Sequence, residues 1–220
     1  VSKAKKIGTS KLHGTIITFE SDPTIFPDRT LNWDTIVSHM RQQAYLVRGL
    51  RISILDLRGV SKIDDDGVFN LRELGLDVPS ITFYFEGGLR SLVSFHNRHL
   101  ETIHKTVFYV EKEQDGVNVE IALQYVDDIT SISAFANNIY NSEGGMHITG
   151  FKAALTRTLN GQLKNGNGAK ESETFTGDDV LEGITAVVSV KLREIQFEGQ
   201  TKSKLGSVEA RGAVETVFSE

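Results

Sequence analysis

The residues of this sequence that are best suited to chemistry lie within residues 197–205. Gln200, Thr201 and Lys202 place an amide, a hydroxyl and an ammonium group in consecutive positions. An ammonium group supplies a point charge to a phosphate, and the amide and hydroxyl add hydrogen-bond donors. Gly199 gives the backbone freedom just before them. These residue types are compatible with a phosphate-binding loop. Taken alone, however, the same combination occurs more often in a solvated surface turn.

Secondary-structure patterns place this loop between a strand and a helix. Residues 184–192 form a run rich in β-branched side chains, which is typical of a strand. Beyond the loop, apolar side chains occur at Leu205, Val208, Val217 and Phe218. Their spacing predicts an amphipathic segment. We therefore expect the phosphate-binding candidates to lie in a strand-to-helix connection.

The composition favours a soluble, cytoplasmic globular protein. Its 220 residues, 39% of them hydrophobic, are enough to bury roughly 70% of the surface of the unfolded chain. The absence of cysteine excludes disulfides and thiolate metal sites, and no apolar run approaches the length of a membrane span. The net charge of −5 argues against a surface that binds nucleic acid over its whole extent. Any DNA contact must therefore be a local basic patch, and we expect no metal site.

Periodicity predicts the elements of the first half. Apolar side chains recur at three- and four-residue spacing over residues 33–47, with Gly49 as a stop, which predicts a helix. Residues 50–54 and 81–85 predict strands, and Asp115-Gly116 predicts a hairpin turn. Residues 14–19 begin with Gly14-Thr15 and also predict a strand.

Residues 58–80 predict a long polar loop. Asp64, Asp65 and Asp66 are consecutive carboxylates and raise the possibility of a calcium site. The twelve-position spacing of a calcium loop is missing, because Arg72 and Glu73 fall out of register. A solvated acidic loop is therefore the favoured interpretation.

The central block combines a turn with a helix. Asn137 and Asn138 end a short predicted strand, and residues 143–145 supply the sequence Glu-Gly-Gly. An apolar stripe follows at Ile148, Phe151, Leu155 and Leu159. The stripe predicts a helix with one buried face. Lys152 and Arg157 lie outside this stripe, on other sides of the predicted helix. Since strands and helices interleave along the chain, we expect an α+β domain with one mostly antiparallel sheet and helices on one face.

Five segments together resemble the transducer region of the bacterial DNA gyrase B subunit and of its topoisomerase IV counterpart. They are residues 137–139, 143–147, 150–157, 177–191 and 197–205. The resemblance extends from near Gly14 to near Glu215 and does not separate gyrase from topoisomerase IV. It implies a fold like that of ribosomal protein S5 domain 2, with a left-handed βαβ crossover. It also implies that residues 58–80 are a lineage insertion.

The resemblance assigns roles to two groups of residues that bind ATP. Lys202 would be the catalytic lysine that contacts the γ-phosphate, with Gln200 bonding beside it. Gly14 and Thr15 look like the last nucleotide-binding motif of the gyrase, chaperone and histidine-kinase ATPase superfamily, in which the threonine helps to hold the adenine. ATP is therefore the implied cofactor, with Mg²⁺ held by the rest of the ATPase domain.

The resemblance also implies a domain plan and a set of partners. Residues 1–20 would be the C-terminal remnant of an ATPase domain, and residues 21–220 the transducer domain that couples ATP hydrolysis to DNA strand passage. The implied partners are that ATPase domain, a second copy of the gyrase B subunit in an ATP-bound homodimer, the gyrase A subunit and duplex DNA. Lys152 and Arg157 would line the DNA cavity of the dimer. The intact protein would be a DNA topoisomerase, whereas we expect this segment alone to be inactive.

Two functions of other classes stay open at this point. One is a free-standing nucleic-acid-binding module of the same fold, whose surface would be Lys152, Arg157 and residues 164–170. The net charge of −5 and the lack of an exposed aromatic platform argue against it. The other is an oligomerisation or scaffold domain.

Overall fold

The computed structural model of this chain describes residues 5–6, 9, 13–15, 17–60, 77–127, 129–165 and 174–220. The chain forms two compact units, Val1–Trp33 and Asp34–Glu220. The helices are α1 (Trp33–Leu46), α2 (Leu89–His96), α3 (Met146–Asn165) and α4 (Glu209–Ser219). The strands are β1 (Arg51–Leu55), β2 (Ser80–Tyr84), β3 (Phe108–Gln114), β4 (Val117–Tyr125), β5 (Ser131–Ala136), β6 (Ile139–Tyr140) and β7 (Ile184–Lys191).

The larger unit is built on a five-stranded sheet with the strand order β3-β4-β7-β5-β6. Its β3-β4, β4-β7 and β5-β6 pairs are antiparallel, whereas β5 and β7 run parallel. A parallel pair needs a crossover connection, and the chain passes from β5 to β7 through α3. These features confirm the predicted α+β class and the mostly antiparallel sheet. β1 and β2 form a separate two-stranded sheet.

Helices cover both faces of the five-stranded sheet, which corrects the expectation that they lie on one face. On one face α3 and α4 pack against a cluster that includes Ile121 and Val188. On the other face Tyr45 of α1 and Leu92 of α2 pack in a cluster that includes Val187. The expectation was wrong because β7 is buried over seven consecutive residues. A strand of that kind needs a layer of structure on each side.

Two tight turns adopt the backbone conformation that their residues favour. Asp115 and Gly116 join β3 to β4 with φ angles of 51° and 76°, and Asn137 and Asn138 join β5 to β6 with 48° and 64°. Positive φ at both central positions is the geometry that matches the twist of paired strands. The Nδ2 atom of Asn137 donates to the Leu192 carbonyl, and its Oδ1 atom accepts from the Leu192 amide, both at 2.9 Å. This pair of hydrogen bonds fixes the second turn to the end of β7.

The strand predicted for residues 14–19 is not formed by the described residues of that segment. Residues 13–15 and 17–20 lie outside any strand, and Ile17 and Phe19 are 82% and 87% exposed. A β-branched run becomes a strand only when a second strand accepts its hydrogen bonds. No described residue of this chain pairs with the segment.

The predicted helices form, and α4 starts later than its apolar pattern suggested. Leu205 and Val208 both precede the first helical residue, Glu209. Leu205 is fully buried, whereas Val208 is 67% exposed and therefore outside the core. Among the described residues, no helix is long and apolar enough to cross a membrane.

Two predicted loops fall largely outside the described residues. Residues 61–76, the main part of the proposed insertion, are not described, and neither are residues 166–173. Lys164 belongs to the last turn of α3 and is exposed, so the helix reaches into the loop expected at residues 164–170.

Candidate functional site

Residues 197–205, here called the lysine loop, form a small closed structure between β7 and α4. Phe197 and Leu205 pair across its base, and the Glu198 amide donates to the Lys204 carbonyl at 2.9 Å. The Lys202 amide donates to the Gly199 carbonyl at 3.4 Å, which turns the chain at the tip of the loop. These contacts confirm the predicted strand-to-helix connection and give the loop a defined shape.

The three predicted donors lie together at the tip of the lysine loop. Gln200, Thr201 and Lys202 are all exposed. The Nζ atom of Lys202 lies 5.9 Å from the centre of the Phe197 ring, a distance that suits a cation–π contact. Within the described residues no carboxylate forms an ion pair with this ammonium group. The tip can therefore offer a cation and two polar side chains to an anion.

Lys204, the second lysine of the loop, is paired with a carboxylate, unlike Lys202. The Nζ atom of Lys204 donates to Glu198 Oε2 at 2.9 Å. This hydrogen bond, followed by the charges of Glu198 and Glu143, raises the pKa of Lys204. Lys204 is thus committed to a carboxylate of its own loop, which leaves Lys202 as the better candidate for an external phosphate.

The lysine loop is attached to residues 141–146, here called the diglycine turn. The Asn141 Nδ2 atom donates to the Lys202 carbonyl at 2.8 Å, and the Glu143 amide donates to the Ser203 carbonyl at 2.9 Å. The Leu205 amide donates to the Gly144 carbonyl at 2.9 Å. The attachment therefore runs along the second half of the loop, from Lys202 to Leu205.

The diglycine turn leads directly into α3. The amide of Met146, the first residue of α3, donates to the Leu205 carbonyl at 3.0 Å. A Cβ atom on Gly150 would lie 2.5 Å from the Arg211 carbonyl oxygen, so α3 and α4 approach closely at this point. Helix α3 is thus held at its start by the lysine loop and along its side by α4.

Lys152 and Arg157, the predicted DNA-facing residues, are both exposed on α3 but have different surroundings. Arg157 donates to Glu215 Oε2 at 3.5 Å and to Ser219 Oγ at 3.2 Å. A hydrogen bond from Arg211 lowers the pKa of Glu215, and the contact with Arg157 adds to this effect. Lys152 takes part in none of the ion pairs found among the described residues. Of the two residues, Lys152 is more available to a phosphate backbone.

The other two predicted ATP-binding residues belong to the smaller unit. Gly14 and Thr15 are exposed. Among the described residues, a Cβ atom on Gly14 would meet nothing within 4 Å. Their role stays a prediction. In the described parts of the chain, no group of three or more histidine, aspartate or glutamate side chains is arranged to hold a metal ion.

Asn141 is the residue of this site that sequence reasoning missed. Its side chain is 2% exposed and reaches a carbonyl 61 positions further along the chain. An asparagine just before the Glu-Gly-Gly sequence was a signal for a turn, but its partner could not be found from local sequence.

Comparison with known proteins decides the family. A family model described as DNA gyrase B matches residues 88–220. The chain belongs to the DNA gyrase B family. The match includes the lysine loop, the diglycine turn and α3.

Similar gyrase B proteins extend well beyond this segment. The chain is 45% identical over 217 residues to the DNA gyrase B protein of Halalkalibacterium halodurans, and the alignment covers 97% of this chain and 31% of that protein. It is also 45% identical over 222 residues to the DNA gyrase B protein of Clostridium acetobutylicum, with 100% of this chain and 32% of that protein covered. The chain therefore spans less than a third of the length of these two gyrase B relatives.

A solved structure with the same fold supports the family assignment. The 43K ATPase domain of Thermus thermophilus gyrase B, in complex with an aminocoumarin, superimposes with a TM-score of 0.74 at 32% identity. The alignment covers 91% of this chain and 50% of that one. The fold expected from the resemblance is thus confirmed for this gyrase B segment.

Proposed function

We propose that this segment couples the nucleotide state of a full-length gyrase B protein to the orientation of its domains during DNA strand passage. In this proposal Lys202 contacts the γ-phosphate of ATP and Gln200 bonds beside it. The ATPase domain of the full-length protein holds the rest of the nucleotide and its Mg²⁺, with Gly14 and Thr15 on the adenine side.

One structural observation carries the proposal. The ammonium group of Lys202 is exposed at the tip of a loop whose backbone is bonded to the turn that begins α3. A force on the tip therefore acts on a helix rather than on a loose connection. Because α3 also carries Lys152, the same helix links the phosphate-sensing candidate to the DNA-facing candidate.

The strength of one such contact suits a switch. A hydrogen bond to a charged group is generally worth about 1.5–3 kcal/mol, or roughly 10- to 150-fold in a docking equilibrium. A contact of that size biases the orientation of two domains without locking it, and hydrolysis with loss of phosphate removes it. Lys202 would also stabilise the charge that develops on the transferred phosphoryl group, so it would contribute to catalysis.

Membership of the family supports a set of proposed partners. We propose that the intact protein is an ATP-hydrolysing type II DNA topoisomerase of the cytoplasm that dimerises on ATP and acts with gyrase A on duplex DNA. The relatives from Halalkalibacterium halodurans and Clostridium acetobutylicum are gyrase B proteins, which supports this assignment. We expect the segment alone neither to hydrolyse ATP nor to bind it measurably.

The test is Lys202→Ala in an intact gyrase B protein that carries this sequence. We expect ATP turnover to fall by roughly 10-fold or more, because a contact made with the reacting phosphate is lost. Lys204→Ala is the matched control: it removes the same charge from the same loop, but from a side chain already bonded to Glu198. Turnover of Lys202→Ala within two-fold of the parent would contradict the proposal.

A further inference from the structure

The backbone of Lys202 is held in a conformation that its own residue type disfavours. Its φ angle is 55°, in the left-handed region, where a residue with a Cβ atom is less stable by roughly 1–2 kcal/mol. Such a conformation persists only when neighbouring groups hold it. The contacts of the Lys202 peptide group therefore decide where the ammonium group can reach.

Asn141 supplies the side-chain contact to this peptide group. Its Nδ2 atom donates to the Lys202 carbonyl at 2.8 Å. Asn141 is itself fixed by its backbone: its amide donates to the Ala134 carbonyl at 2.8 Å, and its carbonyl accepts from the Gly144 amide at 3.0 Å. The bond therefore connects the carbonyl of Lys202 to β5 through a buried, anchored residue.

The other hydrogen bonds between the two segments join backbone groups and need no side-chain donor. The Glu143 and Met146 amides donate to the carbonyls of Ser203 and Leu205, and any residue other than proline could make these bonds. Asn141 is different because only a side-chain donor of suitable length can reach Lys202. Replacing this one side chain changes how Lys202 is held and leaves the rest of the attachment in place.

The Asn141 side chain also carries an acceptor. Its Oδ1 atom is buried and has no hydrogen-bond partner among the described residues.

We propose that Asn141 is a positioning residue that sets the reach of the Lys202 ammonium group and thereby the discrimination between ATP and ADP. The proposal rests on the proposed function, in which Lys202 contacts the γ-phosphate. ADP lacks that phosphate, so a displaced ammonium group lowers the affinity for the triphosphate and leaves the affinity for the diphosphate unchanged.

The test uses Asn141→Asp in an intact gyrase B protein that carries this sequence. The substitution keeps the shape of the side chain but places an acceptor against the Lys202 carbonyl in place of a donor. Dissociation constants are measured for a non-hydrolysable ATP analogue and for ADP. We expect the ratio of the ADP constant to the analogue constant to fall by about 3- to 10-fold, the range of one hydrogen bond, through the analogue alone.

Asn137→Asp is the matched control. Asn137 makes the same kind of bond in the neighbouring turn, from Nδ2 to the Leu192 carbonyl at 2.9 Å, and this partner lies outside the lysine loop. We expect it to lower stability without changing the ratio of the two nucleotide constants. An equal change in the ratio for Asn137→Asp would show that general loosening is responsible and would overturn the proposal.

Two further variants keep the result interpretable. Asn141→Ala removes the donor together with the unsatisfied acceptor, so it remains informative if Asn141→Asp fails to fold, and we expect a decrease in the ratio in the same direction. Lys202→Ala measures the contact itself. If Lys202→Ala lowers the ratio and the Asn141 variants do not, the positioning role is wrong; if Lys202→Ala has no effect, the proposed function is wrong.

Discussion

The backbones of Gly145 and Leu205 pair so closely that no side chain fits between them. A Cβ atom on Gly145 would lie 2.3 Å from the Leu205 carbonyl oxygen and 2.4 Å from its nitrogen, and the φ angle of Gly145 is 130°. We therefore expect Gly145→Ala to destabilise the fold by on the order of 2–5 kcal/mol, through backbone strain and forced separation of the two segments. Urea denaturation followed by circular dichroism measures the effect.

Gly212→Ala is the control for that substitution. Gly212 lies on α4, where a Cβ atom would meet no atom of the described residues within 4 Å. The same chemical change should there raise stability by about 0.5–1 kcal/mol, because alanine favours the helix. An unfolding midpoint for Gly145→Ala equal to that of the parent would show that the close pairing is not required.

His147 predicts a dependence of stability on pH. The side chain is fully buried, neither ring nitrogen has a partner among the described residues, and burial lowers its pKa from 6.5 to about 4. Between these two pH values His147 is protonated in the unfolded chain and remains neutral in the folded chain. The free energy of unfolding should therefore fall as the pH falls from 6.5 towards 4, by on the order of 3 kcal/mol from this residue.

His147→Leu isolates this contribution. Leucine cannot be protonated and leaves no unsatisfied nitrogen, so we expect the variant to lose less stability between about pH 6.5 and 4 than the parent does. Urea denaturation of both proteins across this range gives the comparison. Groups such as His96, whose pKa is also lowered by burial, are common to both proteins and cancel. Parallel pH profiles would contradict the assignment.

The parts of the fold that depend on local sequence could be predicted. The Asp115-Gly116 turn and the apolar stripe of α3 follow from preferences that act within a few residues. The covering of both sheet faces could not, because it depends on helices packing against strands that lie far away along the chain. The prediction of a strand at residues 14–19 was wrong because a strand also depends on a distant partner, which β-propensity does not supply.

The candidate site also has a part that local sequence predicts and a part that depends on distant contacts. The residue types of Gln200 and Lys202 marked the loop as a phosphate-binding candidate, because phosphate recognition restricts which side chains can serve, and their contact with phosphate stays a prediction. The bond from Asn141 to the Lys202 carbonyl and the ion pair of Arg157 with Glu215 join residues 61 and 58 positions apart. Only the packing of α3 against α4 and of the two turns brings these groups together.

The different surroundings of Lys152 and Arg157 predict different contributions to DNA binding. Arg157 already bonds to Glu215 and Ser219, whereas Lys152 has no ion-pair partner in the described part of the chain. Each ammonium group that neutralises a DNA phosphate releases counterions and steepens the dependence of affinity on salt. In the intact protein, Lys152→Ala should weaken duplex binding and reduce the log–log salt slope by about 1. Arg157→Ala should change the slope by less, because its charge is already partly neutralised.

Fluorescence anisotropy with a labelled duplex, over roughly 50 to 200 mM salt, measures both slopes under conditions where such contacts are resolved. Lys152→Arg is the matched control: it keeps the positive charge at the same position, so the slope of the parent should be retained. An equal reduction for Lys152→Arg and Lys152→Ala would mean that the shape of the side chain, and not its charge, is responsible. A larger effect at Arg157 would show that its ion pair opens when DNA binds and would reverse the ranking of the two residues.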